Sequence, residues 1–340
     1  MSRLGIVLTL ALFISLDKID VVRNQCLSLT FSVLAVFFLA ACQVARDDST
    51  PASSPTRSEG TYTPLAETAV LIPTDTVTPY TPSPTVPDLS PTPPTRLSPT
   101  SETVCNENGR MITAALDSPV LRQPMDYRVF LPPCYESQPQ KRYPVLYLIH
   151  GQSYTDDQWD RLGADETAER LILEGEMPPF LLVMPRDRLW EQPKDDPFGQ
   201  VMVEELLPFI DEQYRTLPGR QYRAVGGLSR GAGWALHLGL THWQLFGAFG
   251  CHSLAVFESD APHIAAWLDE IPRDDMPRIF LDIGDHDRPP ILQSAIWFEQ
   301  LLTQKRIPHE WYLFPGYHEE AYWQAHLPQY LRWYTQPWQE

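Results

Sequence analysis

Short apolar runs alternate with amphipathic stretches along the C-terminal two thirds of the chain. Residues 127–131, 144–149, 180–184, 222–226, 245–249, 278–283 and 311–314 read as strands. Most are apolar throughout, the pattern of strands buried on both faces. Between them, Val203, Leu206, Leu207, Ile210 and Tyr214 recur at helical spacing, and Ile291, Ala295, Phe298 and Leu302 do the same. Residues 232–240 form another helix-like stretch. Pro208 interrupts the first of these helices and predicts a bend or a late start there. Such alternation predicts an α/β class, a mostly parallel central sheet with helices on both faces. Residues 104–340 suit one domain of this kind.

The N-terminal third has a different character. Residues 5–16 and 27–41 are two apolar blocks, separated by Asp17, Lys18 and Asp20. The second has Arg23 ahead of it and ends in Leu39-Ala40-Ala41-Cys42, the layout of a secretory signal: basic start, apolar centre, small residues before the cut. It is short for a membrane span. Its ending resembles the lipobox of bacterial lipoproteins, in which the cysteine is acylated and becomes the mature N-terminus. This predicts a signal peptide over residues 1–41 and an extracytoplasmic protein lipid-anchored at Cys42 to the bacterial cell membrane. An ordinary signal peptide or an N-terminal anchor helix is the alternative. Two blocks in tandem also suggest a start codon assigned too early, ahead of Val21.

Composition changes the picture in two ways. Proline, at 34 of 340 residues, is about twice its usual ~5 %. The excess gathers in residues 42–103, where Thr, Pro and Ser dominate and too little is apolar to offset the ordering entropy of a core. That segment is predicted to be a disordered, extended spacer. The net charge of −17 argues against a nucleic-acid partner, which calls for clustered Lys and Arg. Of the cysteines, Cys105 and Cys134 flank the first predicted strand and could pair in an exported protein, while Cys251 reads as a small buried residue.

Candidate chemistry centres on Gly227-Leu228-Ser229-Arg230-Gly231. It follows a predicted strand and precedes a predicted helix, the context in which G-x-S-x-G forms a nucleophile elbow. A sharp turn there demands small neighbours, and the glycines supply them. The helix N-terminus adds positive partial charge. Partners are then expected in the order serine, acid, histidine, each after a strand. Strand 278–283 runs into Gly284-Asp285-His286-Asp287, and strand 311–314 into Pro315-Gly316-Tyr317-His318. His318 is the expected base. Asp287 is the expected acid, with Asp282 and Asp285 as competitors and a turn-holding role open to Asp285 or His286. Arg230 and Gln152 amides are the expected oxyanion hole, the latter following Ile149-His150-Gly151. Most of the ten tryptophans read as core, and Trp190 is the candidate for substrate contact.

With these residues in view, the chain resembles the esterase D family of α/β-hydrolases, which includes feruloyl and acetylxylan esterases, S-formylglutathione hydrolase, enterochelin esterases and mycolyltransferases. The landmarks are Val129-Phe130-Leu131-Pro132-Pro133, the run from Tyr143 to Gly151, Glu205-Leu206-Leu207-Pro208-Phe209-Ile210-Asp211, Gly227-Leu228-Ser229, the Gly284–Asp287 turn, Gly316-x-His318 and Tyr322-Trp323. The resemblance implies Ser229, Asp287 and His318 as a triad, with Gln152 and Arg230 at the oxyanion hole. Arg230 and Ala232 depart from the family, which often has Met and Gly there. A charged Arg230 could draw an acidic substrate or pair with a carboxylate. No metal and no cofactor are expected.

The functional expectation is a serine carboxylic-ester hydrolase working through an acyl-enzyme on an extracellular ester, such as feruloyl or acetyl groups on polysaccharide, or a siderophore ester. Acyl transfer from the same intermediate to another alcohol is one alternative. A non-catalytic surface binding protein is the other, against which the complete Ser, Asp and His set argues.

Overall fold

A computed structural model describes residues 107–339. The signal peptide, Cys42, the spacer and Cys105 lie outside the described residues. Cys134 is disulfide-bonded.

Eight strands form one sheet: β1 (Arg110–Ser118), β2 (Gln123–Leu131), β3 (Val145–Ile149), β4 (Leu181–Pro185), β5 (Arg223–Leu228), β6 (Ala248–His252), β7 (Arg278–Gly284) and β8 (Glu310–Phe314). Their spatial order is β1-β2-β4-β3-β5-β6-β7-β8. β1 and β2 form an antiparallel hairpin, and β2 pairs antiparallel with β4. From β4 to β8 every pairing is parallel. This is the α/β-hydrolase fold.

Side-chain alternation decides what each face buries. Val145, Tyr147 and Ile149 of β3 enter one core with Val225, Phe249 and Leu281. Leu146 and Leu148, between them in sequence, enter the opposite core with Ala224, Tyr330 and Trp333. The described helices of seven or more residues are α1 (Ala164–Leu173), α2 (Leu207–Gln213), α3 (Arg230–Thr241), α4 (Ile264–Glu270), α5 (Pro289–Lys305) and α6 (Glu320–Thr335). α3 puts Ala232, Trp234 and Ala235 into the first core, and α6 puts Leu327, Tyr330 and Leu331 into the second.

Three expectations change in detail. The break expected at Pro208 takes the form of a widened π turn over Met202–Leu206, leaving Pro208 in the first turn of α2. A proline there loses no hydrogen bond it could have made in a regular helix. β6 starts three residues later than the apolar run suggested, because Phe246 is buried by packing, without pairing to β5. β1 was not anticipated; it is an edge strand with most of its residues partly exposed, so it lacks a continuous apolar signal.

Candidate active site

The site assembles at the carboxyl ends of the parallel strands, where open α/β sheets hold their ligands. Ser229 sits between β5 and α3 with φ 55° and ψ −117°, a conformation costly for a residue with a side chain. Its surroundings enforce it. The Ser229 amide donates to the His252 carbonyl at 2.8 Å, and the Ser229 carbonyl accepts from the amides of Ala232 (3.0 Å) and Gly233 (3.2 Å). A Cβ on Gly227 would lie 2.3 Å from the Gly231 backbone, and one on Gly231 would lie 2.2 Å from the Ile149 carbonyl oxygen. Both glycines are therefore required by contact.

The three expected side chains meet. Ser229 Oγ lies 3.0 Å from His318 Nε2, and His318 Nδ1 lies 2.9 Å from Asp287 Oδ1 and 3.1 Å from Oδ2. A carboxylate beside Nδ1 fixes the proton on that nitrogen and leaves Nε2 to accept from the serine hydroxyl. Asp287 is buried and also accepts the Arg288 amide at 2.6 Å.

The competing acids have other partners. Asp285 Oδ1 accepts from His286 Nδ1 at 2.6 Å and from the Gly316 amide at 3.0 Å, so it ties together the two loops that carry Asp287 and His318. Those bonds hold its carboxyl below the usual carboxylate range. Asp282, fully buried in β7, accepts from Tyr322 Oη (2.7 Å), Tyr330 Oη (2.6 Å) and His252 Nδ1 (2.6 Å). Burial and this carboxyl push both phenols well above their ordinary range, so they remain donors.

A cavity of about 350 Å³ opens over the serine and is lined by Gln152, Tyr154, Arg230, Arg288, His318 and Trp323 among others. The Gly151 amide is taken by Gln158 Oε1 at 2.8 Å. Among the described residues the amides of Gln152 and Arg230 have no protein acceptor, which leaves both N–H groups for a ligand oxygen. His150 locks the loop beneath them. Its Nδ1–H donates to the Gly151 carbonyl at 2.8 Å and its Nε2 accepts from the Asp187 amide at 3.0 Å. Burial holds this imidazole below its ordinary value of 6.5 and so favours the neutral form these bonds need.

One open choice is decided and one expectation needs correction. Of the two roles open to the Arg230 guanidinium, pairing with carboxylates is the one found: it donates to Asp187 at 2.7 Å, to Asp196 at 2.9 Å and to the Glu191 carbonyl at 2.7 Å. A buried guanidinium must find such partners, and here they come from the loop after β4. Trp190, in that loop, is 43 % exposed and is not among the residues lining the cavity over Ser229. The tryptophan that does line it is Trp323, whose ring stands edge-on to His318 with centroids 5.0 Å apart and whose Nε1 donates to Ser253 Oγ at 3.1 Å. Its nearness to His318 in sequence was the available signal. Among the described residues no group of His, Cys, Asp and Glu is placed to hold a metal ion, and no helix is long and apolar enough to cross a membrane.

The model of the family described as “Putative esterase” matches residues 118–334. The chain belongs to this esterase family. Across 172 residues it is 32 % identical to an endo-1,4-beta-xylanase/feruloyl esterase of Xylanibacter ruminicola; the match takes in 46 % of this chain but only 22 % of that protein. The chain thus spans about a fifth of the length of this curated relative. A solved ferulic acid esterase is 28 % identical with a TM-score of 0.62, covering 68 % of this chain and 99 % of that one. The feruloyl esterase module from Clostridium thermocellum complexed with sinapinate covers 68 % of this chain and 89 % of its own at a TM-score of 0.58, and at 18 % identity it speaks for the fold alone.

Proposed function

We propose that this member of the esterase family is a serine carboxylic-ester hydrolase that releases hydroxycinnamoyl groups, feruloyl above all, from plant polysaccharide. The observation that carries the reading is the 3.0 Å contact between Ser229 Oγ and His318 Nε2, with Asp287 behind it. As Oγ attacks the ester carbonyl carbon, its proton passes to His318 Nε2. The carbonyl oxygen, now negative, takes hydrogen bonds from the Gln152 and Arg230 amides. Collapse of this intermediate breaks the bond to the alcohol oxygen, which leaves with the proton from His318, and the acyl group stays on Ser229. Water then gives a proton to His318 and attacks the acyl-enzyme. Oγ departs with that proton, and the free acid is released. Asp287 remains ionised throughout and steadies the imidazolium.

The substrate class rests on the relatives, which include a xylanase/feruloyl esterase and a ferulic acid esterase. The Leu39–Cys42 ending and the Thr/Pro/Ser-rich residues 42–103 support an enzyme held outside the cell by lipid on Cys42, with a spacer between membrane and catalytic domain.

The test is hydrolysis of methyl ferulate, an acetylated sugar, a catecholate ester and p-nitrophenyl acetate by the wild type and by Ser229→Ala. The expected order puts methyl ferulate first by kcat/KM, and the variant should lose at least about 10³-fold. A wild type inert on all four esters, or a variant equally active, overturns the reading. A preference for the catecholate or acetyl ester overturns the substrate assignment only.

A further inference from the structure

A second cleft, of about 500 Å³, is lined by the loops after β4 and β6 together with His237 of α3 and Trp267 of α4. Its aromatic part is a ring cluster. His263 stacks on Trp267 with centroids 5.9 Å apart and planes at 26°, and His237 meets Trp267 edge-on at 5.7 Å. Its polar part mixes acceptors with donors. Glu258 is exposed and has no hydrogen bond or ion pair among the described residues. Gln192 Oε1 accepts from the Ser259 amide at 3.1 Å, which leaves its NH2 group for a ligand. His237 Nδ1 is held by the buried Asp260 carboxylate at 2.9 Å, so Nε2 is its remaining polar atom.

The cleft and the cavity over Ser229 have no lining residue in common, but the loop after β6 runs from one to the other. Ala255 lines the cavity and Glu258 lines the cleft. They are three residues apart, at most about 11 Å of chain. The loop after β4 carries Gln192, which lines the cleft, and the Glu191 carbonyl, which accepts from the buried Arg230 guanidinium behind the elbow. A polymer lying in the cleft would have to extend past Ala255 to present a substituent to Ser229.

We propose that this second cleft is the subsite for the neutral glycan chain that bears the ester. The proposal rests on the esterase reading above and extends it to the alcohol side of the substrate. Sugar rings offer apolar C–H faces that pack on aromatic rings, and hydroxyls that both donate and accept. An aromatic cluster bordered by a free carboxylate, an amide and an imidazole meets both needs. An anionic chain fits poorly: Lys194 is already 3.6 Å from Asp195, and Glu258 is uncompensated.

The experiment titrates xylohexaose, which carries no ester, into the full chain bearing Ser229→Ala, followed by calorimetry. Saturable millimolar or tighter binding is expected. Trp267→Ala and, separately, Glu258→Ala in the same background should weaken it by about fivefold to tenfold. With Ser229 restored, both variants should raise KM for a feruloylated xylo-oligosaccharide by a similar factor and leave methyl ferulate kinetics unchanged. Glu258 is exposed, so that variant keeps the test valid if Trp267→Ala fails to fold. Absence of saturable binding, unaltered binding in Glu258→Ala, or tighter binding of an oligogalacturonate overturns the proposal. Failure of the esterase reading shows separately, as a parent enzyme inert on methyl ferulate.

Discussion

Arg230 follows the nucleophile directly, yet its guanidinium is bonded at 2.7 Å to Asp187, and the two side chains are 7 % and 1 % exposed. Asp187 also accepts from Trp234 Nε1 at 2.9 Å, which joins the loop after β4 to the elbow helix. A buried pair of this kind is costly to break from one side, because the survivor stays desolvated without compensation.

Asp187→Ala is therefore expected to destabilise the domain by about 3–5 kcal/mol. Urea denaturation measures it. Arg230→Met should destabilise similarly and leave the preference between acidic and neutral acyl esters unchanged. A change of preference would mean that the guanidinium reaches the substrate.

Asp287→Asn tests the choice among the three acids. The asparagine preserves size but no longer fixes the proton on His318 Nδ1, and kcat should fall by about 10⁴. Asp285→Asn leaves the His318 contact in place and should cost far less. An equal loss in both variants would mean that Asp285 serves His318 as much as Asp287 does.

Tyr322→Phe removes one of three hydrogen bonds to the buried Asp282 carboxyl. A hydrogen bond to such a group contributes roughly 1.5–3 kcal/mol, and stability should fall by about that much. The Tyr322 ring also abuts Gly316, two residues before His318. Since the ring is retained, kcat should drop less than about tenfold. Thermal unfolding and steady-state kinetics on one preparation check both halves.

Asp165, in the first turn of α1, has its carboxyl pushed up to about 7 by burial, by a hydrogen bond to Glu166 and by the charge of Glu166. Its Oδ1 is buried without a partner. The folded chain thus holds a proton that the unfolded chain has released from the ordinary value of 3.8 upward. Stability from this group falls as pH rises between the two values. Asp165→Asn should raise Tm relative to wild type at pH 8 and leave it unchanged at pH 4. Equal shifts at both pH values would contradict the assignment.

The parallel strands and the elbow were legible because both carry local signals. β3 and β5 are buried along their whole length, and only small residues tolerate the contacts of Gly227 and Gly231. The choice of Asp287 was legible from its place after β7, but what separates it from Asp285 and Asp282 is where each side chain points. That Arg230 pairs with carboxylates was one of two readings left open, and neither its partners nor the place of Trp190 was legible. Arg230 finds its carboxylates 34 and 43 residues away, and sequence spacing carries no trace of that pairing. Trp190 and Trp323 look alike as residues, and only the path of the loop after β4 keeps the first away from the cavity.

The most direct test of the account is where the acyl group goes. Wild-type protein mixed with excess p-nitrophenyl ferulate and quenched in acid before turnover is complete should carry one feruloyl group, and peptide mass spectrometry should find it on Ser229. The Ser229→Ala protein should carry none. A feruloyl group on another residue, or steady release of ferulate with Ser229 never acylated and dispensable, would contradict the central claim.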